Sequence, residues 1–213
     1  MRAFATARGV LNLVTVLLGA ATAVLLVVLV RPAPATIEVN TFAQLVMSVF
    51  VPFLGVLTVQ RADGRTAQAM LAAIARSLLI AGGFAAYGVI VSAVAGASVG
   101  QGPDARVLGQ LILVSVAVQA LAQLTGTGFG LLVRRPVLAG ALTIVVPLGV
   151  SVALTLIDPS GSLRDRATPF GGATTLLALT PNAWPGWLAI AGCWGLGLNA
   201  LALLVRHAHR RPS

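Results

Sequence analysis

The side chains that most often carry chemistry are few in this chain, and their spacing does not assemble a reaction centre. The carboxylates are Glu38, Asp63, Asp104, Asp158 and Asp165, the histidines His207 and His209, and the single cysteine Cys193. The histidines lie two apart beside Arg206, Arg210 and Arg211. A metal needs more ligands than that pair offers, so the reading is a basic tail and no metal site. Cys193 has no second cysteine to bridge and sits in an apolar run, where a thiol reads as a small buried hydrophobe. A P-loop needs a lysine to reach nucleotide phosphates, and all 14 basic residues are arginine. Gly126, Gly128 and Gly130 do not complete G-x-G-x-x-G, because Leu131 follows. The expectation is a chain that is not an enzyme, with no catalytic residues and no cofactor of its own.

Two polar or small patterns remain, both at helical spacing. Ser115, Gln119, Gln123 and Thr127 recur every four residues in an otherwise apolar run. Such a stripe is costly against lipid, so it faces protein or a water-filled route. It either bonds a neighbouring helix or lines a substrate pathway, and Ser115, Gln119, Gln123 and Thr127 are the pathway candidates. Gly88, Ser92 and Gly96 form a small-xxx-small face, continued by Gly100, on which a second helix can pack closely.

The elements that hold these residues are set by hydropathy. Of 213 residues 58% are hydrophobic and 9% charged, where a soluble domain carries about 25% charged residues. Such a chain has too little polar surface to wet its own exterior, and a lipid-facing exterior removes the conflict. Crossing the hydrocarbon core takes about 20 apolar residues in a helix. Six runs qualify: Val10–Val30, Thr41–Gln60, Ser77–Val99, Val107–Val133, Val137–Ile157 and Trp187–Val205. None holds Asp, Glu, Lys, Arg or His. Pro52 and Pro147 fall inside runs and predict kinks. The first run exceeds the about 7–15 residues of a signal-peptide core, so it reads as a retained helix although Ala33-Pro34-Ala35 resembles a cleavage site.

The expected fold is an all-α integral membrane protein, one domain of six transmembrane helices with a short re-entrant or interfacial segment before the last. That segment is Thr168–Thr180, apolar but too short to cross. Trp184 and Trp187 are its interfacial anchors.

Arginine placement gives an orientation. With the N-terminus in the cytoplasm, Arg2, Arg8, Arg61, Arg65, Arg76, Arg134, Arg135, Arg206, Arg210 and Arg211 lie inside, and Arg31, Arg106, Arg164 and Arg166 outside. That is the positive-inside distribution, and an even helix count puts both termini in the cytoplasm. Arginines scattered between apolar runs, rather than gathered on one face, speak against nucleic acid. Carriers driven by protons or cations commonly hold a carboxylate or imidazole within the membrane, and here all seven such groups fall between or after the runs. Any energy source must come from elsewhere.

With the helices placed, the order of features resembles the membrane subunits of bacterial type-2 ATP-binding-cassette exporters. The stretch TGTGFGLLVRRPVLAGALTIVVPL, residues 125–148, is similar to that family's fourth helix ending in small residues, a basic turn and an apolar fifth helix. TPFGGATTLLAL, residues 168–179, resembles its re-entrant segment. In the first cytoplasmic loop Gly64 matches the family's glycine, while Gln60 stands where an acidic residue is usual. The resemblance implies a permease in the bacterial cytoplasmic membrane that pairs with a second permease copy or related chain. It also implies a separate ATP-binding subunit carrying the ATP and Mg. The segment 61–76 would then be the coupling segment, with Arg61, Asp63, Gly64 and Arg65 as contacts. Topology alone also accounts for those charges. Two other classes stay open: an ATP-independent carrier or channel, and a non-transporting scaffold or immunity component.

Overall fold

Long runs of Ala, Leu and Val leave the backbone one economical way to satisfy its own N–H and C=O groups away from water, the helix. The computed structural model describes residues 2–29, 35–62 and 67–208 and is all-helical among them. The elements are α1 (Arg2–Leu29), α2 (Thr36–Gln60), α3 (Ala67–Ser98), α4 (Ala105–Leu132), α5 (Pro136–Ile157), α6 (Ser162–Ala167), α7 (Pro169–Leu177) and α8 (Ala183–Ile190). A π-turn, Ala191–Gly197, then leads into α9 (Leu198–Ala208). Among the described residues six stretches are long and apolar enough to cross a membrane: Gly9–Leu29, Thr36–Gln60, Gln68–Ser98, Ala105–Leu132, Pro136–Ile157 and Ala183–Val205. The protein is a multi-pass, all-α membrane protein.

Helix ends explain several carboxylates. Glu38 accepts a hydrogen bond from the Ala35 N–H at 3.3 Å, which starts α2 five residues before the apolar run. Asp104 caps α4 by accepting from the Val107 N–H at 2.7 Å. Both place negative charge at the positive end of a helix. Asp158 ends α5 and organises the next turn, accepting from Ser160 Oγ (2.5 Å), Ser162 Oγ (2.8 Å) and the Leu163 N–H (2.9 Å). These bonds, that of Ser160 foremost, hold its carboxyl far below the usual carboxylate range.

The segment 61–76, expected as the coupling segment, reaches into α3. Its second half is the first turns of α3, which runs unbroken from Ala67 through Arg76 to Ser98. AQAMLAAIAR is rich in strong helix formers and has no breaker, so nothing ends the helix there. Ala62, Met70 and Ala73 pack with Val59, Leu131 and Ala202, tying this corner to the ends of α2, α4 and α9.

The segment before the last span is a two-helix hairpin rather than one piece. α6 leads inward, Thr168 turns the chain and caps α7 by accepting from the Gly171 N–H at 3.2 Å, and α7 leads back out. Trp194 Nε1 donates to the Ala167 carbonyl at 2.9 Å. Trp194 lies near the middle of the Ala183–Val205 span, so the hairpin apex reaches about half-way into the bundle. Ala173, Leu176 and Leu177 pack on Val114, Val118 and Leu121 of α4 and on Trp187 and Ile190 of α8. The hairpin enters and leaves at the same end, which is re-entrant geometry.

α2 is the structural centre. Of its most apolar window 61% is buried inside the protein, against 17% for α1 and for α5. α1, α5 and the last span supply the apolar exterior, with Leu29, Val137, Leu156 and Leu204 among its exposed residues.

Candidate functional site

The polar residues of the spans converge on the seam where α2 meets α4. Seen along the sequence, α2 carries its own four-residue stripe, Asn40, Gln44 and Ser48. α2 and α4 run in the same direction, and the two stripes meet in a constant register. Asn40 Nδ2 donates to Ser115 Oγ at 3.1 Å. Four residues on, Gln119 Nε2 donates to Gln44 Oε1 at 2.8 Å and to the Gln44 carbonyl at 3.0 Å. Gln44 Nε2 reaches the third helix of the group, donating to the Ala85 carbonyl of α3 at 3.0 Å. Asn40, Gln44, Ser115 and Gln119 are fully buried.

Gln123 breaks the pattern. The same register pairs it with Ser48, but Ser48 Oγ donates to the Leu45 carbonyl of its own helix at 2.7 Å. Gln123 is fully buried and neither its Oε1 nor its Nε2 has a hydrogen-bond partner. Its side chain sits against Gly55, where a Cβ would come within 2.8 Å of its Oε1. A buried polar atom without a partner costs about 1–3 kcal/mol. Asn40 Oδ1 and Gln119 Oε1 are unpartnered as well. The seam thus has one well-bonded level at Gln44 and Gln119, and one level with unused bonding capacity at Gln123.

Below Gln123 the stripe turns from α2 to the last span. Thr127 Oγ1 lies 2.9 Å from both the Leu124 carbonyl and Asn199 Oδ1, so its single proton serves one acceptor at a time. Asn199 Nδ2 donates to the Leu124 and Gly195 carbonyls, each at 2.7 Å. Gly195 lies in the π-turn, and its carbonyl accepts from the Leu198 N–H as well as from Asn199. Asn199 therefore ties the irregular turn to α4.

Close backbone approach makes the seam possible. A Cβ on Gly126 would overlap the Pro52 carbonyl oxygen, and one on Gly130 would come within 2.9 Å of the Val56 Cα. Only glycine lets α4 sit this near α2. Gly88, Ser92 and Gly96 serve the other side of α2. A Cβ on Gly88 would run into the side chains of Met47 and Gln44, and one on Gly96 into Thr36 Oγ1. Ser92 is buried and donates to the Gly88 carbonyl at 2.7 Å.

The sequence-selected residues therefore separate into three groups. Ser115, Gln119, Gln123 and Thr127 stand together in the helix seam, with Gln119 bonded to α2 and Thr127 to the last span. Gly88, Ser92 and Gly96 face α2. Arg61 is exposed just past the end of α2, while Asp63, Gly64 and Arg65 lie outside the described residues. Near Arg61, Gln60 Nε2 donates to the Val133 carbonyl at 2.8 Å, bringing the exposed pair Arg134–Arg135 to the same corner.

Among the described residues no three His, Cys, Asp or Glu side chains gather as metal ligands. Cys193 is exposed rather than buried, because the π-turn faces it outward. Asp165 sits on α6 rather than in a loop, held by Arg164 at 2.9 Å. Asn40, Gln44 and Asn199 were not selected from the sequence, although the spacing of Asn40 and Gln44 matches that of Ser115 and Gln119. No protein-family model, curated protein or solved structure matches this chain.

Proposed function

We propose that the chain is the permease subunit of an ATP-driven exporter of a bacterial cytoplasmic membrane. It forms a transmembrane pathway with a second permease copy and takes its energy from a separate ATPase. The observation that carries this reading is the re-entrant α6–α7 hairpin, anchored by Trp194 on Ala167, standing before the last of six spans. That order of elements is what the resemblance to type-2 exporters implies. The exposed arginines Arg61, Arg134 and Arg135 at one corner of the bundle fit a cytoplasmic docking face, the basic side under positive-inside.

The carboxylates support the same reading by having other work. Glu38 and Asp104 cap helices, Asp158 builds a turn and Asp165 is paired with Arg164. None is a free intramembrane acid of the kind that proton-coupled carriers use. The experiment is reconstitution of the purified chain in liposomes, alone and with any P-loop ATPase that co-purifies with it. ATP-dependent movement of cargo only in the second preparation supports the permease. Movement by the chain alone supports a carrier or channel instead.

A further inference from the structure

A cavity of about 280 Å³ lies between α2, α4 and α5, roofed by Pro169 and Phe170 at the apex of the hairpin. Its walls are mostly apolar, and among the described residues no charged side chain lines it. Its rim is formed by Val49, Ile144, Leu148 and Phe170, all exposed on the apolar outside of the bundle. Access is therefore from the bilayer, not from water.

Among the described residues four hydroxyls line this cavity, those of Ser48, Thr125, Thr143 and the partly buried Ser151. Ser48 and Thr143 line it, but their hydroxyls are spent on the Leu45 and Gly140 carbonyls, each at 2.7 Å. Thr125 also lines it, and its buried hydroxyl has no partner. A threonine carries hydroxyl and methyl on one Cβ and uses two χ1 rotamers in helices. One χ1 step exchanges which of the two meets the cavity. The two intrahelical prolines line the cavity as well. Pro52 has no N–H for the Ser48 carbonyl and Pro147 none for the Thr143 carbonyl, so each proline leaves one acceptor of its helix without the usual intrahelical donor.

We infer that this cavity binds an uncharged amphiphile drawn from the bilayer: an apolar chain ending in a hydroxyl, with Thr125 as its polar anchor. An apolar cavity of about 150 Å³ takes a six-carbon ring, so this one has room for a chain of roughly ten carbons by the same scaling. A hydroxyl end both accepts from Thr125 and donates to a freed carbonyl. A charged end finds no counter-charge and would be desolvated without compensation. The inference goes beyond the permease reading and does not depend on it, because binding needs no ATPase.

The test is photolabelling of the full chain in phosphatidylcholine nanodiscs. The probe is a ten-carbon alcohol with a diazirine at the far end of its chain. The expected result is labelling of α4 and α5 peptides that contain Val118–Thr125 and Thr143–Ser151, displaced by excess 1-decanol but not by decanoate at pH 8. Thr125→Val keeps the volume and removes the hydroxyl, and should weaken apparent affinity about three- to tenfold, the worth of one hydrogen bond. Ala122→Phe should abolish the labelling by filling the cavity. If that variant does not fold, Thr125→Val still decides. Labelling spread over the exposed faces of α1 and the last span, equal displacement by decanoate, or wild-type affinity in Thr125→Val would each overturn the inference. None of these results bears on whether an ATPase binds the chain.

Discussion

Gln119 commits its whole amide nitrogen to one residue, Gln44, bonding that residue's side-chain oxygen at 2.8 Å and its backbone carbonyl at 3.0 Å. With both side chains fully buried, α4 is registered on α2 at this level. One turn later Gln123 is equally buried and bonds nothing. Two glutamines of one stripe thus stand in opposite energetic positions.

That contrast predicts opposite responses to the same substitution. Gln119→Leu strands Gln44 Oε1 and should lower stability by about 1–2 kcal/mol, the range for interhelical hydrogen bonds in membranes. Gln123→Leu removes two unpartnered atoms and should be neutral or stabilising. Thermal unfolding of both variants in one detergent reads the difference. If Gln123→Leu keeps its stability yet loses transport, the stripe has a pathway role at that level.

Gly126 should tolerate no side chain. Gly126→Ala drives a Cβ into the Pro52 carbonyl oxygen, a backbone atom that cannot rotate away. The helices must separate, at a cost of about 1–3 kcal/mol or more. Gly149, on the same kind of apolar helix, has open space around its Cβ position and serves as the control. Comparing melting temperatures of Gly126→Ala and Gly149→Ala checks this. Equal values would remove close α2–α4 approach from the account.

The turn at Asp158 predicts an acid-sensitive connection between α5 and α6. Its folded carboxyl titrates well below the ordinary value of 3.8, because Ser160, Leu163 and Ser162 bond the charged form. A depressed folded pKa adds stability that is complete above the ordinary value and lost as pH falls below it. Asp158→Asn should therefore be less stable than wild type at pH 7, with the gap closing below about pH 4. Protease cleavage between Asp158 and Arg166, followed from pH 7 to pH 3, is the readout. A gap independent of pH would show that the charge does not organise the turn.

The hairpin should loosen when its anchor is removed. Trp194→Phe keeps a smaller aromatic ring and deletes the donor to the Ala167 carbonyl. In a Cys193→Ser background, a cysteine placed at Phe170 should then react with a maleimide about three- to tenfold faster, the worth of one hydrogen bond. An unchanged rate would mean that packing of Leu176 and Leu177 alone holds the hairpin.

Sequence made the six spans legible because hydropathy separates membrane from water. It did not separate lipid from protein: α1, α2 and α5 are similarly apolar, yet α2 is the buried centre. The clue lay in polar pairs. Asn40 and Gln44 repeat the spacing of Ser115 and Gln119, and two matched stripes imply a seam. α6 was hidden because Arg164-Asp165-Arg166 reads as a solvated loop. The start of α3 was obscured by Arg76, a charge that an exposed helix surface accommodates easily. The π-turn had no signal beyond three glycines, Gly192, Gly195 and Gly197.

The central claim is that this chain borrows its energy from another. Quantitative co-purification from the native membrane in mild detergent tests it most directly. The account predicts a stoichiometric P-loop ATPase with the wild-type chain, and a loss of most of it with Arg61→Glu. A chain that purifies without any ATPase, and that moves cargo across liposomes without ATP, would contradict it.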